Sequence, residues 1–224
     1  MTNIETRTVD TYREYQATHP KDRNDILRNP EVAFQALASK AALYRALGRI
    51  GFQHTKNVLD VGGGAGGSLV PFMEIGCVAS SLTSIDVRPD RAVEGRERFP
   101  GVDFRTGDAR EMPFPDGAFD VVYASGLFLQ ITDEKIASSI GRDMRRVCRG
   151  HIVIMDWALS RPGAPQVAVT RKRVARIFGT PILFAEAAAL APPIGRPLSK
   201  YAPWAYFLVQ RIFPLGMKVY AMKV

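Results

Sequence analysis

Cysteine and histidine are scarce in this chain. The two cysteines, Cys77 and Cys148, and the three histidines, His19, His54 and His151, are widely scattered. None stands at the short spacings that hold zinc, so no metal site is expected. The cysteines read as free thiols of a cytoplasmic protein, not as a disulfide framework. Long apolar runs are missing too. None approaches the roughly 20 residues that cross a bilayer, and the longest, Pro181–Pro193, is interrupted by Glu186. The opening MTNIETRTVD is polar and acid-bearing, unlike a secretion signal or a basic transit peptide. Acids then thin out along the chain. Residues 1–139 hold 16 Lys and Arg against 19 Asp and Glu, whereas residues 140–224 hold 14 against 3. That asymmetry admits an anionic partner: a phosphorylated substrate, an anionic membrane surface or nucleic acid.

What is present is an alternation of apolar strand patterns and helical patterns. A chain of 224 residues has room for one well-cored domain. Asn29-Pro30 opens a helix whose apolar residues Phe34, Leu37, Ala41, Tyr44 and Leu47 recur at helical spacing, and Gly51 ends it. Short buried strands follow at NVLDV, SSLTSID, VDFRT, FDVVYAS and HIVIMD. Helices are expected at 66–75, at 88–99 and from an N-cap at Asp133 to a glycine stop at Gly150. The C-terminal third is expected to hold a helix at 171–178, an undecided segment at 181–190, an aromatic helix at 200–213 and a closing strand at 217–224. Near-continuous apolar strands alternating with helices imply a parallel sheet covered on both faces. The expected fold is therefore α/β: a doubly wound, mostly parallel, seven-stranded Rossmann-like sheet with an N-terminal helical cover. Residues 1–54 would be the cap and 55–224 the cofactor-binding domain.

The stretch VLDVGGGAGGSL, residues 58–69, crowds five glycines into six positions after a strand. Two spacings fit at once. Gly62, Gly64 and Gly67 satisfy the dinucleotide pattern G-x-G-x-x-G, and Gly62, Gly64 and Gly66 with Asp60 satisfy D-x-G-x-G-x-G, the pattern of S-adenosylmethionine enzymes. In either case glycines let a ligand approach the backbone where a helix begins. A carboxylate at Asp60 repels a pyrophosphate and suits the ammonium and sulfonium of S-adenosylmethionine. Asp86, ending the second strand, suits the ribose hydroxyls of either cofactor.

Together the segments VLDVGGGAG, SIDV, GDAREMPFPDGAFDVVYAS and MRRVCRGHIVIMDW resemble the class I S-adenosylmethionine-dependent methyltransferases, the broad small-molecule group, over about residues 55–157. The resemblance implies roles at matching positions. Asp60 would hold the methionine amino end, directly or through water, Gly62, Gly64 and Gly66 would line the cofactor, and Asp86 would take the ribose, with Val87 against adenine. Asp108 and the Ala109 N–H would meet the adenine edge, and Ser125 would sit near the methionine tail. Tyr15 would close over the cofactor from the N-terminal segment. A looser similarity of the C-terminal segment to a polysaccharide and natural-product subgroup implies a sugar, glycan or lipid-linked acceptor.

Methyl transfer from a sulfonium needs alignment more than acid–base help, and a base only where an acceptor must lose a proton. Candidates are Asp156 at the end of the fifth strand and His19. Gln130 stands where the family often carries histidine, and it can orient an acceptor but not deprotonate it. Ala124-Ser125-Gly126-Leu127 replaces the N/D-P-P-Y motif of base methylation, Val147 precedes Cys148 where cytosine C5 enzymes have Pro-Cys, and Asp156-Trp157 replaces the Asp-Asn pair of metal-dependent catechol enzymes. Nucleic-acid bases and catechols are thereby disfavoured. The expected activity is S-adenosylmethionine-dependent O-methylation of a sugar, glycan or secondary metabolite, with S-adenosylhomocysteine as product. An NAD(P)-dependent oxidoreductase and a non-catalytic cofactor-binding protein stay open as alternatives. The segment KYAPWAYFLVQRIFPLGMKVYAMK mixes aromatic residues with cations and is a candidate for peripheral contact with an anionic membrane at its inner face.

Overall fold

The structure is a computed structural model, and it describes residues 27–160 and 165–224. Seven strands form one sheet: β1 Val58–Val61, β2 Leu82–Asp86, β3 Asp103–Thr106, β4 Phe119–Ser125, β5 Cys148–Trp157, β6 Ile182–Leu190 and β7 Gly216–Lys223. Their order across the sheet is β3-β2-β1-β4-β5-β7-β6. β1 to β5 run parallel, and β7 enters antiparallel between β5 and β6. The fold is the expected Rossmann-like one.

Helices cover both faces: α1 Pro30–Arg49, α2 Val70–Glu74, α3 Pro89–Arg98, α4 Glu134–Val147, α5 Arg171–Phe178, α6 Pro192–Tyr201 and α7 Tyr206–Ile212. Successive side chains of a strand point to opposite faces, so each parallel strand feeds two cores. Leu59, Val61, Val122, Ala124, Ile152 and Ile154 pack under α4 and α5 with Ile140, Met144 and Phe178. Val58, Val121, Tyr123 and Val153 pack on the other side with Leu43 and Leu47 of α1 and Phe72 of α2. Each fully buried Leu or Phe is worth about 1.5–3 kcal/mol, which makes the strands apolar at nearly every position. α1 is part of this second layer.

Several boundaries follow from local chemistry. Asp133 caps α4, accepting hydrogen bonds from the N–H groups of Lys135 and Ile136 at 2.7 and 3.2 Å. Gly150 does not stop α4. The helix ends at Val147 and the chain passes directly into β5, where a Cβ at position 150 would collide with the carbonyl oxygen of Asp120. The undecided segment at 181–190 is β6. The helix expected at 200–213 is two, because Pro203 cannot donate to a helical ladder and disfavours α geometry at Ala202, whose φ and ψ are −146° and 59°. The helix expected from residue 66 begins as a tight turn at Gly67–Leu69, with Gly66 before it at φ +81°.

Candidate functional site

Parallel strands place their carboxyl ends along one edge, and ligands bind in the crevice outside that edge. Here the turn after β1 runs through Gly62, Gly64 and Gly66, with φ of 70°, 55° and 81°, the left-handed region that glycine enters without strain. The N–H of Gly62 extends the ladder to Ile85 at 2.8 Å, and the N–H of Gly64 donates to the Asp86 carboxylate at 2.9 Å. Asp86 also accepts from the N–H of Arg88 at 2.9 Å. The acid at the end of β2 therefore holds the glycine loop and its own turn in place.

A cavity of about 440 Å³ opens above this edge. Gly62, Gly64, Asp86, Val87, Asp108, Ala109 and Ser125 all line it, and Gln130 closes one side. Residues from the ends of β1, β2, β3 and β4, spaced over 69 positions, are thus brought into one wall. A Cβ built at Gly64 or Gly67 would meet no described atom within 4 Å. Asp108 is chelated by the guanidinium of Arg110 and accepts from its N–H at 2.8 Å, which holds the carboxyl below its ordinary range.

Two of the expected cofactor residues stand behind the wall. Gly66 packs on Phe104 and Phe99, where a Cβ would approach the Phe104 ring to 2.6 Å. Asp60 is fully buried under the loop and takes a short hydrogen bond from the Ser68 hydroxyl. Its Oδ1 and the hydroxyl of Ser84, its neighbour in register on β2, have no hydrogen-bond partner among the described residues. Burial, opposed by Ser68 and reinforced by Asp86, pushes the Asp60 carboxyl up to about 7. An orphaned carboxylate oxygen beneath the glycine loop suits the cationic end of a nucleoside ligand, while Arg88, Arg91 and Arg110 line the cavity toward Asp86 and Asp108, with Arg110 paired to Asp108. The residues present fit S-adenosylmethionine.

Asp156 is not in the cavity wall. It is wholly buried, and its oxygens accept from the N–H groups of Leu129 at 3.1 Å and Trp157 at 2.8 Å. Burial raises its carboxyl to about 6, against the lowering effect of those N–H groups. It fastens the Leu127–Ile131 turn that follows β4 and does not line the cavity. Tyr15 and His19 lie outside the described residues.

Sequence reading missed several site residues. Gly63 is one: a Cβ there would overlap the Asp60 carboxylate and the Ser84 hydroxyl. Arg173 is another. Almost fully buried on α5, it donates to the carbonyls of Phe128 at 2.8 Å, Val167 at 3.0 Å and Ile131, and to Glu134 at 2.7 Å. One guanidinium thereby ties the post-β4 turn to α4 and α5. The side of the wall after β4 is apolar, with Leu127 and Ile131 from the turn and Ile136 and Ile140 from α4, whereas Arg88, Arg91 and Arg110 line the opposite side.

Among known proteins, residues 58–151 match the family described as a methyltransferase domain. A demethylmenaquinone methyltransferase of Renibacterium salmoninarum is 30% identical over 105 residues, 46% of this chain and 42% of that protein. A phosphatidylethanolamine N-methyltransferase of Cereibacter sphaeroides is 34% identical over 132 residues, 55% of this chain and 60% of that protein. The chain spans about half the length of the curated relatives it matches. The crystal structure of a magnesium protoporphyrin IX methyltransferase from Synechocystis, with bound S-adenosylmethionine, superimposes with a TM-score of 0.60 at 13% identity, covering 96% of this chain and 90% of that one.

Proposed function

We propose that this chain, a class I S-adenosylmethionine-dependent methyltransferase by its domain and fold, methylates an amphipathic acceptor of quinol or lipid type. Bound S-adenosylmethionine supplies an electrophilic methyl group on a sulfonium. The chain's own part is binding and alignment. Gly62 and Gly64 leave backbone space for the ligand, Asp86 offers its carboxylate to the ribose hydroxyls, and Val87 and Ala109 flank the adenine position. Asp60, behind the loop, supplies a negative field toward the cationic end and holds Ser68 in the wall.

The acceptor reading rests on one observation: the cavity side built from the post-β4 turn and α4 is apolar, with Gln130 as its polar group. Gln130 accepts a hydrogen bond from Gln166 at 3.3 Å and can orient an acceptor, but an amide cannot take a proton at neutral pH. Asp86 and Asp108 are committed to backbone and arginine partners, and Asp156 is sealed behind the turn. Among the described residues the cavity thus has no base for a sugar hydroxyl, whereas an electron-rich ring carbon, a phenolic oxygen partly ionised in water, and the neutral fraction of a lipid amine are nucleophilic without one. The relatives named for a quinone and a phospholipid acceptor support the same choice over the sugar or glycan expected from sequence. Methyl transfer from labelled S-adenosylmethionine to a panel of prenylated hydroquinone, phosphatidylethanolamine and sugar acceptors tests it. Transfer to the hydroquinone or the phospholipid is expected, and transfer to sugars alone would overturn it.

A further inference from the structure

The surface made by α6 and α7 carries its polarity the wrong way round for a helix facing water. α7 buries Tyr206 and Gln210 and exposes Phe207, Leu208, Arg211 and Ile212, spaced so that they share one face. Tyr206 is held inward because its hydroxyl accepts from the N–H of Leu190 at 2.9 Å. Beside this face, Trp204 is 81% exposed, Tyr201 is 76% exposed, and Phe213 follows at 58%. An open apolar groove between the two helices, lined by Ile194, Pro197 and Leu198 among others, continues the patch. Contiguous exposed apolar surface of this kind marks an interaction site.

Charge selects the partner. No acidic residue occurs from position 187 to the C-terminus, while Lys200 and Arg211 stand exposed within the aromatic patch. Aromatic and aliphatic side chains mixed with cations, and with no anion, match the boundary between acyl chains and anionic headgroups. Topology adds a direction. β6 runs parallel to β5, since each pairs antiparallel with β7, and Leu190 lies opposite Gly216 as Trp157 lies opposite Met217. α6 and α7, inserted between Leu190 and Gly216, therefore sit on the sheet edge where the cofactor cavity opens.

We infer that the α6–α7 face docks on an anionic bilayer surface, with Trp204, Phe207, Leu208 and Ile212 entering the interface and Lys200 and Arg211 meeting headgroups. This goes beyond the proposed reaction and does not depend on which acceptor is methylated. Flotation of the full chain with vesicles of phosphatidylcholine containing phosphatidylglycerol, and with phosphatidylcholine alone, tests it, with no acceptor present. Binding to the anionic vesicles is expected, with a blue shift of emission that Trp204→Phe removes. The double substitution Leu208→Ser and Ile212→Ser should reduce binding by about tenfold or more. Thermal midpoint and S-adenosylhomocysteine affinity of that variant should stay unchanged, because both positions are exposed and neither lines the cavity. Absence of flotation, or flotation that the double variant does not weaken, would overturn the inference. So would a dimer in size-exclusion chromatography that the same variant dissolves, since the face would then be covered by a second copy.

Discussion

Asp60 separates the two glycine spacings by its charge, and its carboxylate lies buried under the loop, where it takes a hydrogen bond from Ser68. Ionised Asp60 favours a cationic ligand, so affinity for S-adenosylmethionine should rise with pH from about 6 and level off above the free carboxyl's value of about 7. Asp60→Asn should flatten that profile and weaken binding by about tenfold, one pH unit's worth of coupling. Stability moves the other way. A carboxyl raised by burial contributes stability that is complete below its unfolded value of 3.8 and is lost as pH rises through about 7, so the Asn variant should melt higher than the parent at pH 8 in thermal scans. Parallel pH profiles for the two proteins would remove Asp60 from binding. The glycines sort by what a Cβ would meet. Gly63→Ala must displace Asp60 and Ser84, whereas Gly67→Ala meets nothing within 4 Å at an ordinary φ. Calorimetry with S-adenosylhomocysteine should find binding lost in the first and nearly retained in the second, and the reverse order would favour the dinucleotide spacing.

At the scale of elements, the strands were legible because each carries its own apolar run bounded by turn residues. β4 falls at the residues expected, Phe119–Ser125. The C-terminal third was not. Between residues 181 and 213 the apolar residues are dense enough to fit either period, and the break at Pro203 and the burial of Tyr206 and Gln210 depend on tertiary partners. The post-β4 turn shows the same limit. Asp156 and Arg173, 27 and more positions away from the groups they bind, grip Leu127–Ile131 through backbone groups that no side-chain pattern records. Arg173→Met would take the guanidinium from three carbonyls and from Glu134, which keeps the longer pair with Arg176 at 3.5 Å. The expected loss is about 3 kcal/mol in urea unfolding, with a parallel fall in cofactor affinity. An unchanged unfolding midpoint would show that the turn stands without this brace.

For the whole molecule, charge and topology act together. The acid-bearing first part supplies the carboxylates around the cavity, Asp60, Asp86 and Asp108, and the basic last part supplies α6 and α7 at the same sheet edge. Among the described residues no helix is long and apolar enough to cross a membrane. The cofactor assignment underlies everything else. Titration calorimetry of the full chain with S-adenosylmethionine, S-adenosylhomocysteine and NAD tests it most directly. Saturable one-to-one binding of the first two with no heat from NAD is the predicted result, and binding of NAD without S-adenosylhomocysteine would contradict it.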